Sequence, residues 1–336
     1  MTTTRPEKAF WEQYGAYRDE ADAFLMSRLP AYEADGQKAL GDAMRYSCGA
    51  GGKRARAVLA LAVHDMLLGS RRPALPLAAA IEYIHAYSLI HDDMPCMDDD
   101  DCRRGKPACH KAFGEAVALL AGDALLNLAF EVLLENAAPG APPAVPAVAP
   151  DAPAVAAMEP VAVPAAVPAA PGAGAAPPGA AIRAALFVAQ AAGASGMAGG
   201  QAVDLAGGAD SMEKLRHMHS LKTGMLIRAA VIAPAILAGA DAPAMGALGG
   251  YADNIGLAFQ IRDDMLDVSG DAGKMGKAAG RDAKGGKATY VSLFGYAAAE
   301  RCLAEALGRA LDSLSSFGRK AGFLACMARF VAGRDS

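Results

Sequence analysis

Residues 91–104 read HDDMPCMDDDDCRR, a run in which six aspartates stand beside two arginines. The apolar pair Leu89-Ile90 directly precedes it, so the run continues a helix-like segment that should be buried. Carboxylates packed this densely need cations, and a hard cation held by a few carboxylates usually also binds phosphate oxygens. The run therefore predicts a site that holds a polyphosphorylated substrate through bridging Mg²⁺.

The geometry of this first aspartate cluster depends on where its helix ends. Asp92 and Asp98 are six residues apart, which a regular helix would not align on one face. Pro95 lies between them and disfavours helical geometry in the residue before it. We therefore expect the helix to end or distort near Pro95, so that Asp98 turns back towards Asp92. A solvated acidic turn is the alternative, and it is the better interpretation of residues 99–101.

Residues 263–267, DDMLD, form a second aspartate cluster. Asp263 and Asp267 are four residues apart, so a helix places both carboxylates on one face. That spacing suits one or two Mg²⁺ ions.

Basic residues accompany both clusters. The sequence GGKRAR at 51–56 puts cations on a glycine-rich turn that enters a helix, a plausible phosphate cradle. The arginine forks at 103–104 match diphosphate oxygens, and the sequence KTG at 222–224 interrupts a long helical pattern. Lys277 and Lys287 lie in a glycine- and lysine-rich loop of a kind that closes over phosphates. Ordinary solvated lysines are the alternative for these two.

Composition narrows the class of protein. The chain has 336 residues, of which 53% are hydrophobic, and a formal net charge of -4, which argues against nucleic acid as the main partner. Residues 1–13 lack the apolar core of a signal peptide, and the uncharged run 229–240 is too short to span a bilayer. None of the six cysteines forms a Cys-x-x-Cys pair. We therefore expect reduced thiols, a cytoplasmic location and no stable membrane insertion.

A zinc site is an alternative use of some cysteines. Cys96, Cys102, Cys109 and His110 lie close in sequence, but their spacing matches no usual zinc pattern. Packing of small residues between helices is the better interpretation.

Apolar residues recur at helical spacing along most of the chain, and no convincing stretch of alternating β-branched residues predicts a strand. The predicted helices cover residues 55–68, 75–90, 112–134, 181–194, 212–237, 245–268, 290–314 and 322–332. This is an all-α pattern.

One segment interrupts the helical pattern. Residues 137–180, the Pro/Ala-rich insertion, hold 12 of the 20 prolines and only two charged residues, Asp151 and Glu159. Proline at this density excludes helix and sheet. Because the helical pattern resumes on both sides, we interpret 1–336 as a single domain with a disordered insertion. A role of this segment in binding a partner is the alternative.

Five motifs together resemble one family, the trans-isoprenyl diphosphate synthases, and its bacterial farnesyl diphosphate synthases most of all. They are GGKRAR at 51–56, HDDMPCMDDDDCRRGKP at 91–107, GGQAVDL at 199–205, KTG at 222–224 and FQIRDDMLD at 259–267. Their order matches that of the family. The Pro/Ala-rich insertion departs from the family pattern, but it is remote in sequence from every motif.

The resemblance implies an isoprenoid-synthase helical bundle around a deep central cavity, normally a homodimer, with the two aspartate clusters facing each other across the mouth. It implies that Asp92, Asp98, Asp263 and, through water, Asp267 bind Mg²⁺, with three ions per active site and Mn²⁺ as a substitute. Positions matching the isopentenyl diphosphate site are Lys53, Arg56, His85 and Arg104. Positions matching the allylic diphosphate site are Arg103, Lys222, Thr223, Gln260, Lys277 and Lys287. The residues expected to carry catalysis are Lys222, Thr223, Asp92 and Asp263.

The implied reaction is head-to-tail prenyl transfer. Neutralising the leaving diphosphate allows the allylic C–O bond to break, and dipoles near Lys222 and Thr223 help to stabilise the cation. The double bond of isopentenyl diphosphate, held nearby, attacks that cation, and proton loss to the departed diphosphate completes the step. We expect dimethylallyl and geranyl diphosphates to be extended to farnesyl diphosphate.

Product length should depend on which side chains close the bottom of the cavity below Asp92. Tyr87 and Ser88 lie about one helical turn upstream, and a bulky Tyr87 should stop growth near fifteen carbons. The alternative is that Tyr87 only packs the helix, and the rival product is geranylgeranyl diphosphate.

Two further functions compete with this one. A terpene cyclase binds one diphosphate and would leave Lys53, Arg56 and Arg104 without a purpose. A non-catalytic partner subunit of an active homologue should have lost a metal aspartate or a diphosphate lysine, and none is lost here.

Overall fold

The structure is a computed structural model, and it describes residues 5–33, 35–137, 177, 179–207, 211–269 and 289–334. Lys277, Lys287 and nearly all of the Pro/Ala-rich insertion lie outside the described residues.

The described chain is a bundle of helices with one small strand pair. The elements are α1 (Arg5–Arg28), α2 (Asp35–Cys48), α3 (Ala55–Leu68), a 3₁₀ turn (Arg72–Ala74), α4 (Leu75–Asp92), β1 (Cys102–Arg103), β2 (Lys106–Pro107), α5 (Cys109–Phe113), α6 (Glu115–Ala137), α7 (Ala180–Ala192), α8 (Met197–Leu205), α9 (Met212–His219), a π turn (Ser220–Gly224), α10 (Met225–Leu237), α11 (Ala242–Ser269), α12 (Tyr290–Phe294), α13 (Tyr296–Ser313), a 3₁₀ turn (Ser315–Ala321) and α14 (Gly322–Gly333). The all-α prediction is confirmed.

Most predicted helices appear close to their expected bounds, but three are divided. The predicted helices 112–134 and 290–314 each break at a glycine with positive φ, Gly114 and Gly295. The predicted helix 212–237 contains the π turn at Ser220–Gly224. Periodicity alone cannot detect these breaks, because the apolar spacing continues across them.

Three helices were not predicted, namely α1, α2 and α8. In α1 the buried residues are Phe10, Tyr14, Tyr17, Ala21 and Leu25, about one for each turn. Such a narrow apolar stripe, diluted among charged residues, gives a weak helical signal. The two-residue strands β1 and β2 were also not predicted, since pairing this short carries no alternating pattern.

The core is organised around α10. Residues 229–235 are all buried, as expected for a helix that is apolar on every side. Helix α10 packs against α3, α7 and α11, while α4 packs against α6, and α11 packs against α13 and α14. The aspartate-bearing ends of α4 and α11 therefore belong to one packed bundle.

Three helical segments are long and apolar enough to cross a membrane, judged by length and composition only: Glu115–Ala137, Ala180–Leu205 and Met212–Leu237. In the structure each packs against other helices of the bundle.

Candidate active site

The first aspartate cluster forms where α4 stops. The helix ends at Asp92, and the chain then turns so that the Asp98 N–H donates to the Asp92 carbonyl oxygen at 2.9 Å. A second turn bond joins the Asp100 N–H to the Asp93 carbonyl oxygen at 3.2 Å. The predicted end of the helix near Pro95, with Asp98 folded back towards Asp92, is confirmed.

Asp92 occupies an electrostatically unfavourable position. Burial raises the pKa of Asp92, the charge of Asp98 raises it further, and Lys222 opposes both effects. A partly buried carboxylate beside another carboxylate is stabilised by any cation brought to it.

Asp93 has a different role from Asp92, although the two are adjacent. Its side chain is 3% exposed, and Arg103 Nε donates to both of its carboxylate oxygens at 3.0 Å. Arg103 also lies 3.4 Å from an oxygen of Asp100. Sequence reasoning gave Asp93 no specific role, and the structure places it where it orients the guanidinium of Arg103.

The strand pair positions the side chain of Arg104. Strands β1 and β2 are joined through Arg104 and Gly105, both with positive φ, a two-residue hairpin turn. Arg104 donates to the carbonyl oxygen of Gly51, and a Cβ on Gly52 would lie only 2.8 Å from its guanidinium carbon. Glycine at position 52 therefore allows the close approach of Arg104 to the loop that carries Lys53.

Arg56 and His85 lie in the same positively charged region. The Arg56 Nε is buried without a hydrogen-bond partner among the described residues. Burial lowers the pKa of Arg56, and burial together with Arg56 and Arg104 holds the pKa of His85 well below its usual value. Burial likewise lowers the pKa of Arg104. An anion bound here would relieve this uncompensated charge.

Asp263 of the second cluster meets an arginine that the sequence analysis did not identify. Arg334, just after α14, donates to the Asp263 carboxylate at 2.6 Å and to the Phe259 carbonyl oxygen at 3.0 Å. Its guanidinium also lies 3.7 Å from the Phe259 ring centroid. Burial raises the pKa of Asp263, while Arg334, Arg56 and Lys53 lower it. The only sequence signal for Arg334 was a cation following the last helix.

Lys222 and Thr223 are placed by the π turn that precedes α10. Lys222 Nζ lies 2.7 Å from the carboxylate of Asp204. A Cβ on Gly200 would overlap the backbone of Lys222, so only glycine allows α8 to approach the turn so closely. Sequence reasoning quoted the motif that contains Gly200 and Asp204 but assigned neither residue a role.

Gln260 connects the π turn to the second cluster. Thr223 Oγ1 donates to Gln260 Oε1 at 3.1 Å, and Gln260 Nε2 donates to Asp264 at 3.0 Å. Asp264, 2% exposed, also accepts from the Tyr290 N–H at 2.8 Å. Asp264 therefore orients Gln260 from inside the bundle, while the side chain of Asp263 is 45% exposed on a more open face of α11.

The predicted chain-length residues lie on α4. Tyr87 is half-buried, and its ring packs edge-on against His91 with centroids 5.6 Å apart. Burial and the charge of Asp92 raise the pKa of Tyr87, so its hydroxyl lies within electrostatic reach of the first cluster. Ser88 donates to the His85 carbonyl oxygen at 3.0 Å.

The donor set fits Mg²⁺ better than a transition metal. Among the described residues, no three His, Cys, Asp or Glu side chains gather into a ready-made metal site, at the cysteines or at the aspartates. Mg²⁺ does not need one, because it commonly takes one or two carboxylates and completes its shell with substrate phosphates and water. The close pair Asp92 and Asp98, with the raised pKa of Asp92, matches that use.

The family model for polyprenyl synthetases matches residues 37–158 and 179–317. A farnesyl diphosphate synthase from Geobacillus stearothermophilus is 39% identical, with 90% of each chain covered. A geranylgeranyl diphosphate synthase from Cyanophora paradoxa is also 39% identical, with 88% of this chain and 87% of the other covered. The crystal structure of an FPP/GFPP synthase from Zymomonas mobilis matches with a TM-score of 0.76 and 34% identity, covering 97% and 99% of the two chains.

The chain belongs to the polyprenyl synthetase family and has the all-α isoprenoid-synthase fold. The protein is a prenyltransferase, and the relatives that it matches support prenyl diphosphate synthase activity.

Proposed function

We propose that this protein condenses isopentenyl diphosphate with dimethylallyl and then geranyl diphosphate to make farnesyl diphosphate. The proposal rests on one observation: two separate positively charged regions lie beside the two aspartate clusters. Arg56, His85 and Arg104 form one region, and Lys222 lies beside Asp92 in the other. Two substrates that each carry a diphosphate need two such regions.

Each predicted residue has a separate task in this proposal. Asp92, Asp98, Asp263 and Asp267 would hold Mg²⁺, which would supply neutralising charge for the leaving diphosphate. Lys53, Arg56, His85 and Arg104 hold isopentenyl diphosphate. Arg56 and Lys53 also lower the pKa of Asp263, which is consistent with neighbouring substrate sites. Arg103, Lys222, Thr223, Gln260, Lys277 and Lys287 hold the allylic diphosphate.

Lys222 would change partner during the reaction. In the structure its ammonium is held by Asp204 at a distance of 2.7 Å. A diphosphate anion is a more strongly charged partner, so the Lys222 ammonium can move from Asp204 to the leaving group. Thr223, held by Gln260, presents its hydroxyl oxygen near the same place.

The fifteen-carbon product is proposed from Tyr87. Its aromatic side chain lies upstream of Asp92 on α4, in the direction in which a chain anchored at the aspartates must grow. The geranylgeranyl product is the second candidate, and it is favoured by relatives of equal identity that are named geranylgeranyl diphosphate synthases.

The proposal includes a single catalytic domain over 1–336, a cytoplasmic location and a homodimer. Helices α6 and α7 are neighbours and expose several large apolar side chains between them. These are Leu119, Leu120, Leu134, Ile182 and Leu186, each 47–57% exposed. A second copy of the chain would cover this surface. A monomeric mass in sedimentation at micromolar concentration would contradict the dimer.

Product analysis tests the proposed function directly. The purified chain alone, given Mg²⁺, isopentenyl diphosphate and dimethylallyl diphosphate, should yield mainly the fifteen-carbon diphosphate on chromatography. A mainly twenty-carbon product would establish the second candidate. Absence of turnover by the isolated chain would instead favour a non-catalytic partner subunit.

A further inference from the structure

The loop that carries Lys53 is held from outside the candidate site by the first helix. The hydroxyl of Tyr14, on α1, donates to the backbone carbonyl oxygen of Lys53 at 2.6 Å. The two residues are 39 positions apart, so this bond is a tertiary contact.

Tyr14 is fixed in place by its surroundings. Its side chain is only 4% exposed, and its ring packs edge-on against Phe330 of α14 with centroids 5.7 Å apart. Burial raises the pKa of Tyr14 far above neutrality, so its hydroxyl stays protonated and remains a donor. Phe330 also lies beneath the Lys53 ammonium, 5.7 Å from Nζ to the ring centroid.

A second contact from α1 fixes the residue that follows. Arg54 has a left-handed backbone with φ of 50°, an uncommon conformation for a residue with a side chain. Its guanidinium is buried and donates to Asp22 of α1 at 2.6 Å. It also lies 3.5 Å from Glu82 on α4. Two contacts from α1 therefore fix this loop, one to the backbone carbonyl oxygen of Lys53 and one to the side chain of Arg54.

Helix α1 lies outside the part of the chain that the family model matches, which begins at residue 37. Nothing in the predicted diphosphate sites includes a residue of α1. We propose that Tyr14 is a positioning residue for isopentenyl diphosphate, fixing the backbone of Lys53 so that its ammonium meets the diphosphate. The inference rests on the proposed function, in which Lys53 binds that substrate.

Tyr17 provides a matched control on the same helix. Its ring is also buried, and its hydroxyl donates to Asp65 at 2.7 Å rather than to the Lys53 loop. Tyr14→Phe and Tyr17→Phe therefore each remove one hydroxyl and one hydrogen bond from α1 to a later part of the chain. Tyr17→Phe also removes the bond that Gln13 Nε2 donates to Tyr17 at 2.8 Å. Tyr17→Phe should therefore lose at least as much thermal stability as Tyr14→Phe, so a loss of stability alone cannot explain a change confined to Tyr14→Phe.

Steady-state kinetics should separate the two variants. Tyr14→Phe should raise the KM for isopentenyl diphosphate about fivefold, the effect of one ordinary hydrogen bond. Its kcat and its KM for the allylic substrate should stay within about twofold of wild type, since Lys222, Thr223 and the aspartates are untouched. Tyr17→Phe should leave both KM values at the wild-type level. Equal KM values for isopentenyl diphosphate in the two variants would overturn the inference.

Calorimetric titration with isopentenyl diphosphate alone keeps the inference separate from the proposed reaction. Binding about fivefold weaker in Tyr14→Phe, and unchanged in Tyr17→Phe, would support the positioning role even if the wild type did not turn over. Equal binding by both variants would refute the role even if the wild type made the expected product. A wild-type protein that failed to bind isopentenyl diphosphate would refute both the role and the proposed site.

Discussion

Both aspartate clusters are dense in carboxylates, but their structural settings differ. The first lies in an irregular turn after α4, where Asp92 has a carboxylate neighbour in Asp98. The second lies on the regular helix α11, where Asp263 is paired with Arg334. The comparison teaches that similar sequence motifs can place carboxylates in different electrostatic settings, one beside another carboxylate and one paired with an arginine.

Loss of either cluster should have the largest effect. Asp92→Ala and Asp263→Ala each remove a predicted Mg²⁺ ligand on the leaving diphosphate. We expect turnover to fall about a thousandfold, equivalent to about 4 kcal/mol of transition-state stabilisation, with an unchanged helical circular dichroism spectrum.

Asp101→Ala is the control that removes an aspartate of the same run without removing a predicted Mg²⁺ ligand. Asp101 is exposed and paired with Lys111, so its loss should leave turnover near wild type. Near-normal turnover in Asp92→Ala or Asp263→Ala would contradict a mechanism that uses both clusters.

Substitutions on the two helices that carry the clusters should affect product length differently. Tyr87 on α4 and Phe259 on α11 each lie about one turn before an aspartate. Tyr87→Ala should open apolar volume and shift the product from fifteen towards twenty carbons or more, with the first condensation little affected. Phe259→Ala should instead weaken isopentenyl diphosphate binding, because Phe259 contacts Arg56 and Arg334. An unchanged product distribution in Tyr87→Ala would place the length limit on another helix.

Removing Arg334 should leave the Asp263 carboxylate more available to a metal cation. Because Arg334 competes with a cation for Asp263, Arg334→Gln should lower the Mg²⁺ concentration for half-maximal activity about threefold. Arg309→Gln, which removes an exposed arginine of α13, should not change it. An unchanged or higher Mg²⁺ requirement in Arg334→Gln would show that the ion pair does not compete with the metal.

Neutral substitution tests how much the two settings differ in their effect on stability. Because the pKa of Asp92 is raised in the folded protein, its ionisation lowers the free energy of unfolding at neutral pH. Asp92→Asn should therefore raise the melting temperature by about 2 °C or more at pH 7. The gain should shrink as the pH falls through the raised pKa and disappear below the ordinary value of 3.8. Asp263→Asn should show a gain of the same sign, because burial raises the pKa of Asp263 in spite of Arg334.

The smallest effect is expected from the segment that separates the clusters in sequence. Replacing residues 138–178 by a short Gly/Ser linker should leave the melting temperature and turnover close to wild type, since loop-closure cost grows slowly with length. A well-folded but inactive deletion variant would show that the Pro/Ala-rich insertion has a role in catalysis.

The sequence predicted the helices and the turn at Pro95, but not the contacts that hold the candidate site residues in place. Apolar periodicity was sufficient for long helices such as α3, and the turn at Pro95 followed from proline sterics. The partners of the predicted residues could not be predicted, because Asp204, Arg334 and Tyr14 are remote in sequence from the groups they hold. Their side chains carry no local pattern, and only the packing of distant helices brings them to the site.

The π turn at Ser220–Gly224 has a consequence for deletions and alignments. A π turn holds one more residue than the α-helical turn it replaces, so removing one residue there would restore a regular helix. The flanking helices α9 and α10 could keep their own hydrogen bonds, and a circular dichroism spectrum would change little. The residues of the turn, however, would rotate by about 100° for each position shifted, carrying Lys222 or Thr223 away from Asp204 and Gln260. A single-codon deletion in this turn would therefore yield a protein that folds normally but has lost its prenyltransferase activity.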